Sequence, residues 1–182
     1  MKIVSGVLKG LVIASMLAQA SAYGADAGAA TGSVTGSGQD ALRAHALLER
    51  AIAHYKKNKD KALADFNRSR KFVDGELYVY VVSGSGEMLA SGGPSSALIG
   101  RNVADLQDAA GKPFFREMLD KAGTKGAGVV EYQWLNRVDN KVERKVAYFE
   151  KVDDRIIAVG YYVARATAAQ AQAMLGRAVD AL

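Results

Sequence analysis

The 182-residue sequence predicts an α+β domain. Its parts are a long N-terminal helix, about five antiparallel strands, a crossover loop and helix over the sheet, and a C-terminal helix. Three observations lead to this class. After residue 40, apolar residues recur at steps of three and four, which is typical of an amphipathic helix. Runs rich in β-branched and aromatic residues follow, mostly joined by short turns. A long irregular segment, residues 97–113, divides these runs.

Residues 1–22 have the pattern of a signal peptide. A lysine-bearing start precedes an apolar run at residues 10–17, and small residues precede a cleavage point after Ala22. The alternative is an uncleaved anchor, but the apolar run is far shorter than the ~20 residues that span a bilayer. Residues 23–38 are almost wholly Gly, Ala, Ser and Thr, so we expect a flexible leader. We therefore expect cleavage after Ala22 and export of the mature protein.

Composition excludes several classes of function. The sequence has no cysteine, which rules out disulfides, thiol catalysis and thiolate metal sites. The formal charge of +5 falls to +3 once Lys2 and Lys9 are removed with the signal peptide, leaving 22 basic and 19 acidic residues. The basic residues are scattered among acidic ones, so we expect no nucleic-acid partner.

Besides the helix in the crossover, three helices are predicted. The first begins at Asp40, a candidate N-cap. Its apolar stripe is Ala41, His45, Leu48, Ile52 and Tyr55, widened by Leu47 and Ala51. Asp60 is a candidate cap for a second helix over residues 61–67. Residues 164–182 form the last helix, whose narrow apolar seam fits either the first helix of the same chain or a homodimer.

Strand patterns begin at residue 77. The strands are predicted at residues 77–83 and 87–90, as a pair within 129–151, and at 155–163. Short turns join the last three strands, which indicates an antiparallel meander. In the crossover, a short helix over residues 114–122 follows Pro113.

The strand pair within 129–151 carries the candidate ligand-binding groups. Tyr132 and Trp134 are two residues apart and so share one face of their strand. Core packing is the alternative role for both. Alternation places Lys145 on the inward face, where a buried ammonium needs an anionic partner. That partner is either a ligand carboxylate or a protein carboxylate such as Asp108.

Enzyme functions find little support in the sequence. His45 and His54 are nine residues apart on one helix and lack the i,i+4 spacing of a metal-binding pair. No GxSxG, HExxH, P-loop or dinucleotide-binding motif occurs. We therefore expect no catalysis, no metal and no cofactor. An enzyme of another type would require paired acid and base groups in the pocket.

Four blocks of the sequence resemble the single Cache domain, the extracytoplasmic PAS-like sensor module of bacterial chemoreceptors and histidine kinases. These blocks are residues 47–67, 72–90, 97–122 and 128–162. The resemblance implies one sensor domain over residues 39–163, in a free-standing periplasmic form. It also implies a PAS-like sheet and a pocket under the crossover loop for a small metabolite, often a short carboxylate. The chain departs from the pattern after the second strand, where it has Ser91-Gly92-Gly93-Pro94 and related sequences commonly carry His-Pro. It also departs at Asn136-Arg137, where they often carry Asn-Pro.

The residues and the resemblance together predict a soluble periplasmic sensor that binds a small organic acid and signals through a membrane receptor or histidine kinase. Lys145 would anchor the carboxylate, while Tyr132 and Tyr148 would donate hydrogen bonds. The other candidates are Tyr80, Phe115 and Trp134 for the apolar wall, and Arg101 and Asp108 for closing the pocket. Regular alternation turns Tyr148 away from Lys145, so this arrangement requires a bulge. The alternative is a non-catalytic structural or interaction module without a small ligand.

Overall fold

The computed structural model describes residues 36–138 and 140–163. Its first elements are helix α1, Gly36–Asn58, and helix α2, Lys61–Arg68. Helix α1 begins four residues before the predicted start at Asp40, so the last residues of the predicted leader are helical. The predicted signal peptide, the rest of the leader and the predicted C-terminal helix lie outside the described residues. Within the two described ranges, no helix combines the length and the apolar character needed to cross a membrane.

Helix α1 packs against the sheet through an apolar stripe at helical spacing. The buried residues of this stripe are Ala44, Leu47, Leu48, Ala51, Ile52 and Tyr55. The stripe is rotated slightly from the predicted one, because His45 is exposed. The His45 ring instead lies over the edge of the buried region, where its centroid is 3.9 Å from that of Tyr148.

The start of α2 differs from the predicted cap. Asp60 occupies the N-cap position, but its side chain makes no capping hydrogen bond. Its carboxylate accepts hydrogen bonds from the Arg155 guanidinium at 3.0 Å and from the Tyr55 hydroxyl at 3.1 Å. The hydrogen bond from Arg155 holds the pKa of Asp60 below its usual value. Asp60 therefore ties α1 to the sheet.

Six strands form one antiparallel sheet within the described residues. They are β1 (Val73–Asp74), β2 (Leu77–Ser83), β3 (Met88–Ser91), β4 (Ala127–Asn136), β5 (Lys141–Val152) and β6 (Arg155–Tyr162). The order is β1-β2-β6-β5-β4, with β3 also paired to β2. Strands β4, β5 and β6 form the predicted meander, and the two-residue β1 adds to the five predicted strands. Because β6 pairs with both β5 and β2, the last strand lies inside the sheet.

Both faces of the sheet are covered. Helices α1 and α2 pack on one face, which we call the helix face. The 3-10 helix Pro94–Leu98, the loop after it and helix α3, Phe114–Lys125, cover the other, which we call the crossover face. Alternation along β2 turns Val79 and Val81 to the helix face and Tyr80 to the crossover face. The candidate ligand-binding residues on the strands therefore lie on one face or the other according to this alternation.

Candidate functional site

Lys145 lies in β5 on the crossover face, with 0% of its surface exposed. It pairs with Tyr132 of β4 on one side and with Tyr162 of β6 on the other. Alternation turns Ala147 and Phe149 to the same face. The structure thus places the lysine on the inward face, as the sequence predicts, and between two tyrosines.

Gly160 of β6, which has no side chain, leaves the space through which the Lys145 side chain passes. A Cβ at this position would lie 2.6 Å from Lys145 Cε, closer than carbon atoms pack. Gly160 pairs with Tyr78 of β2, so the lysine crosses β6 to reach that tyrosine. Its Nζ donates a hydrogen bond of 2.8 Å to the Tyr78 hydroxyl. Nζ also lies 4.0 Å from the ring centroid of Tyr78 and 4.6 Å from that of Tyr162, within cation–π range.

The charge of Lys145 is not balanced by a carboxylate in contact with it among the described residues, because its hydrogen-bond acceptor is a neutral phenol. Burial lowers the pKa of Lys145, while Tyr78 and, less strongly, the Glu76 carboxylate act in the opposite direction. A buried ammonium without a contacting anion is unfavourable. An anion placed beside Nζ would relieve this cost.

Tyr78 connects the lysine to the start of residues 94–125, which cover the crossover face and which we call the crossover segment. Its hydroxyl oxygen lies 3.2 Å from Ser95 Oγ, and both residues are buried. An ammonium only donates hydrogen bonds, so the Tyr78 hydroxyl accepts from Lys145 and can donate to Ser95. The Tyr78 ring lies against the backbone of Gly93, where a Cβ would be 2.4 Å from a ring carbon.

Aromatic rings from α3, β2 and β4 form a wall on the same face. Phe114 stacks on Tyr132, with centroids 4.0 Å apart and planes inclined by 9°, and meets Trp134 edge-on at 5.5 Å. Phe115 meets Tyr80 edge-on at 6.4 Å. The hydroxyls of Tyr80 and Tyr132 are 3.4 Å apart, and burial raises the pKa of both, so both stay neutral. The predicted site residues that share this face are Lys145, Tyr132, Trp134, Tyr80 and Phe115.

Tyr148 is not part of this group. Strand β5 pairs with β4 and β6 without a register shift from Lys145 to Tyr148, so the bulge that the prediction required does not occur. The Tyr148 ring lies on the helix face, between His45 and Tyr161, with its centroid 6.0 Å from that of Tyr161. The prediction that Tyr148 donates a hydrogen bond in the pocket of Lys145 is wrong.

Asp108 stabilises the loop of the crossover segment through hydrogen bonds to backbone amides. Its carboxylate accepts hydrogen bonds from the backbone amides of Ala110 at 2.9 Å, Lys112 at 2.8 Å and Gln133 at 2.8 Å. Partial burial acts to raise the pKa of Asp108, but these amides outweigh it and hold the pKa below its usual value. Asp108 therefore fastens the loop to β4. The alternative that it is the contacting partner of Lys145 is wrong.

An open cleft of about 240 Å³ lies next to Tyr78 and Tyr162, the two tyrosines that contact Lys145. Its lining includes Glu76, Tyr78, Gly93, Pro94, Asn136 and Tyr162. Because the rings of Tyr78 and Tyr162 both line the cleft and contact Lys145, they separate the lysine from it. Arg101, predicted to close the pocket, is exposed and is not part of this lining. In ranges 36–138 and 140–163, no group of three or more His, Asp or Glu side chains is placed to hold a metal ion.

Several residues around Lys145 were not predicted as site residues. They are Tyr78, Gly93, Ser95, Gly160 and Tyr162. One signal was present, since a glycine inside a strand indicates the close approach of another group. The pairing of β6 with β2, which brings Gly160 opposite Tyr78, has no local sequence pattern.

Comparison with solved structures establishes the fold. A methyl-accepting chemotaxis protein from Vibrio parahaemolyticus RIMD 2210633 is similar with a TM-score of 0.58 at 20% identity, over 68% of this chain and 88% of that chain. The periplasmic sensor domain of a chemotaxis protein gives 0.54 at 23% identity, over 69% and 92%. A Cache chemosensory domain, studied for carboxylic acid recognition, gives 0.58 at 20% identity, over 69% and 95%. The predicted PAS-like α+β fold is confirmed.

No curated protein matches the sequence. The family model described as single Cache domain 2 matches residues 44–175, which is well over half of the 182 residues. The match includes the three strands of the meander, β2 and α3. The resemblance predicted from the sequence blocks is thereby confirmed, and the chain belongs to the single Cache domain 2 family.

Proposed function

We propose that this chain is a ligand-binding sensor module that takes a short carboxylate anchored by Lys145. The observation that carries the proposal is a fully buried lysine amine whose hydrogen-bond acceptor, among the described residues, is a phenol hydroxyl. A carboxylate is a stronger acceptor, because hydrogen bonds between ionised groups are roughly twice as strong as neutral ones. Binding of a carboxylate would pair the buried charge.

The surroundings favour a small ligand. Lys145 supplies one positive charge, and the groups around it are aromatic rings and neutral hydroxyls. The adjoining cleft of about 240 Å³ is smaller than the ~300–1,000 Å³ that is typical of sites for drug-sized molecules. Tyr132, Tyr80, Phe115 and Trp134 would form the wall against the ligand's carbon atoms. The solved Cache domain studied for carboxylic acid recognition has a similar fold and supports this class of ligand.

The proposed role includes export and signal relay. The predicted signal peptide, residues 1–22, would direct the protein to the periplasm. A membrane receptor or histidine kinase would receive the signal, because the similar structures come from chemotaxis proteins. The module itself would be non-catalytic, since the Lys145 site brings together one ammonium and neutral phenols rather than an acid and base pair.

Isothermal titration calorimetry against acetate, propionate, pyruvate and succinate tests the anchor. Lys145→Met keeps most of the side-chain volume and removes the charge, so circular dichroism should show an intact fold. Losing one member of a buried charge pair costs about 2–5 kcal/mol, which weakens binding roughly 30- to 4,000-fold. Lys151→Met is the matched control, because Lys151 is exposed on the same strand. Equal affinity in wild type and Lys145→Met would refute the proposed anchor.

A second candidate function is a non-catalytic structural or interaction module. The contact between Lys145 and Tyr78 favours it, because the lysine already has an internal partner and is separated from the cleft. Such a module would bind none of the four carboxylates and would form a ligand-independent assembly, such as a homodimer through a terminal helix. Light scattering with and without the carboxylates, together with cross-linking in the cell envelope, separates the two functions. An oligomer whose size is the same with and without the carboxylates, and which cross-links to no membrane protein, would favour the structural or interaction module.

A further inference from the structure

We propose that Tyr78 is an internal substitute for the ligand, which holds Lys145 in the ligand-free protein and must be displaced by an arriving carboxylate. This inference rests on the proposed function, because it describes the regulation of the same site. We call the observed arrangement, in which the Tyr78 hydroxyl accepts a 2.8 Å hydrogen bond from Lys145, the closed contact.

The closed contact blocks the direct route to the lysine. Tyr78 lines the cleft and also covers Nζ, whose distance to the Tyr78 ring centroid is 4.0 Å. Tyr162 covers Nζ from the neighbouring strand, and its own hydroxyl donates a 2.9 Å hydrogen bond to the Leu135 carbonyl. Tyr162 is thereby fixed to the sheet through its hydroxyl, whereas the hydroxyl of Tyr78 contacts two side chains. Tyr78 is the side chain that has to move.

The closed position of Tyr78 depends on Gly93. A Cβ on residue 93 would lie 2.4–2.5 Å from three ring carbons of Tyr78, so any other residue would displace the ring. The backbone at Gly93 is extended, with φ at −132°, which every residue type adopts. Glycine is therefore needed here for space and not for backbone conformation. The substitution Gly93→Ala should open the closed contact without straining the chain.

Displacement of Tyr78 would also change the contacts of the crossover segment. The Tyr78 hydroxyl lies 3.2 Å from Oγ of Ser95, within the 3-10 helix Pro94–Leu98 that begins this segment. A carboxylate that displaces Tyr78 from Lys145 would therefore break both hydrogen bonds of the Tyr78 hydroxyl, the one with Lys145 and the one with Ser95. The crossover segment would lose its link to Lys145 as the ligand binds. This gives the sensor two states that differ in the contacts of one side chain.

Stopped-flow mixing with pyruvate tests the inference, because Trp134 is the only tryptophan in the sequence and lies in the wall of the site. In wild type, the observed rate should level off as pyruvate increases, since opening of the closed contact becomes limiting. Tyr78→Phe removes the competing hydroxyl and should lower the pyruvate Kd by roughly 12- to 160-fold, the range for one hydrogen bond to a charged group. Gly93→Ala should raise the limiting rate. Tyr148→Phe, on the helix face, is the matched control and should change neither value.

A second measurement needs no ligand. Acetylation of surface amines by a water-soluble reagent, mapped by mass spectrometry, should modify Lys145 slowly in wild type. Gly93→Ala and Tyr78→Phe should both accelerate this modification, while Lys151, which is exposed, reacts at the same rate in every variant. Circular dichroism checks that each variant is folded.

The outcomes separate this inference from the proposed function. Weaker or unchanged pyruvate binding in Tyr78→Phe would overturn the inference, because the hydroxyl would then assist the ligand or be irrelevant to it. Unchanged acetylation of Lys145 in Gly93→Ala would overturn it as well, even if no tested carboxylate binds. Equal binding in wild type and Lys145→Met would instead overturn the proposed function, whatever the acetylation rates show.

Discussion

Replacement of Gly160 by alanine tests how the lysine reaches its partner. The new Cβ would lie 2.6 Å from Lys145 Cε, 3.2 Å from the Val146 carbonyl oxygen and 3.3 Å from Ala147 Cβ. Carbon atoms in contact are ordinarily ~3.5–4.0 Å apart, so the lysine methylene group would overlap the alanine by about 1 Å. The lysine side chain would have to leave its path across β6. Its ammonium would then lose the 2.8 Å hydrogen bond to Tyr78.

Two effects set the size of the expected change in stability. Overpacking of a filled core costs about 1–3 kcal/mol. Replacing glycine by alanine restricts the unfolded chain and returns about 0.4–1 kcal/mol. The free energy of unfolding should therefore fall by about 1–2 kcal/mol, which lowers Tm by roughly 2–8 °C for a chain of this size.

Urea unfolding in two backgrounds is the decisive assay for Gly160→Ala. In a Lys145→Ala background the overlapping methylene group is gone and only the contacts of 3.2 and 3.3 Å remain, so the same substitution should cost less than in the wild-type background. Gly123→Ala is the matched control, because a Cβ at Gly123 meets no atom within 4 Å and its helical position favours alanine by about 0.5–1 kcal/mol. If Gly160→Ala costs the same with and without the lysine, the steric reasoning is wrong.

Two further predictions concern ionised groups. Asp108→Ala should lower the free energy of unfolding by about 1 kcal/mol in urea titrations, because three backbone amides lose their acceptor and the carboxylate is only partly buried. This stabilisation should be present above the unfolded pKa of ~3.9 and vanish as pH falls through the lowered folded pKa. Asp105→Ala, which breaks an exposed ion pair, is the control and should have little effect; an equal effect of both substitutions would contradict the fastening role. Carboxylate affinity should fall as pH rises through the pKa of Lys145, which is lowered from the ordinary ~10.4. Calorimetry should show proton uptake on carboxylate binding, and Lys145→Met should abolish this uptake. Proton uptake that persists in Lys145→Met would assign it to another group.

Local patterns were sufficient for most of the fold. The strands now seen as Leu77–Ser83 and Arg155–Tyr162 were predicted because each is rich in β-branched and aromatic residues. Short turns between the last three strands left the meander as the simplest arrangement. The face of Lys145 followed from the two-residue period of a strand, which holds in β5 because no bulge interrupts it.

The site depended on contacts that local patterns do not encode. Tyr78 meets Lys145 only because β6 returns between β5 and β2 and presents Gly160, so the partner is 67 residues away in sequence. Tyr148 could reach the site only through a bulge, and no turn residue or glycine between Lys145 and Tyr148 indicates one. Asp108 is predicted either to close the pocket or to pair with Lys145, yet the loop folds around it through backbone amides. Long-range pairing and loop geometry, rather than residue type, decided these positions.

A crystal structure of the chain with its tightest-binding carboxylate from the calorimetric panel tests most directly whether Lys145 binds the ligand in place of Tyr78. A carboxylate oxygen should lie about 2.7–2.9 Å from Lys145 Nζ, with the Tyr78 hydroxyl displaced from the lysine. A carboxylate bound elsewhere, with the 2.8 Å hydrogen bond between Lys145 and Tyr78 still in place, would contradict it.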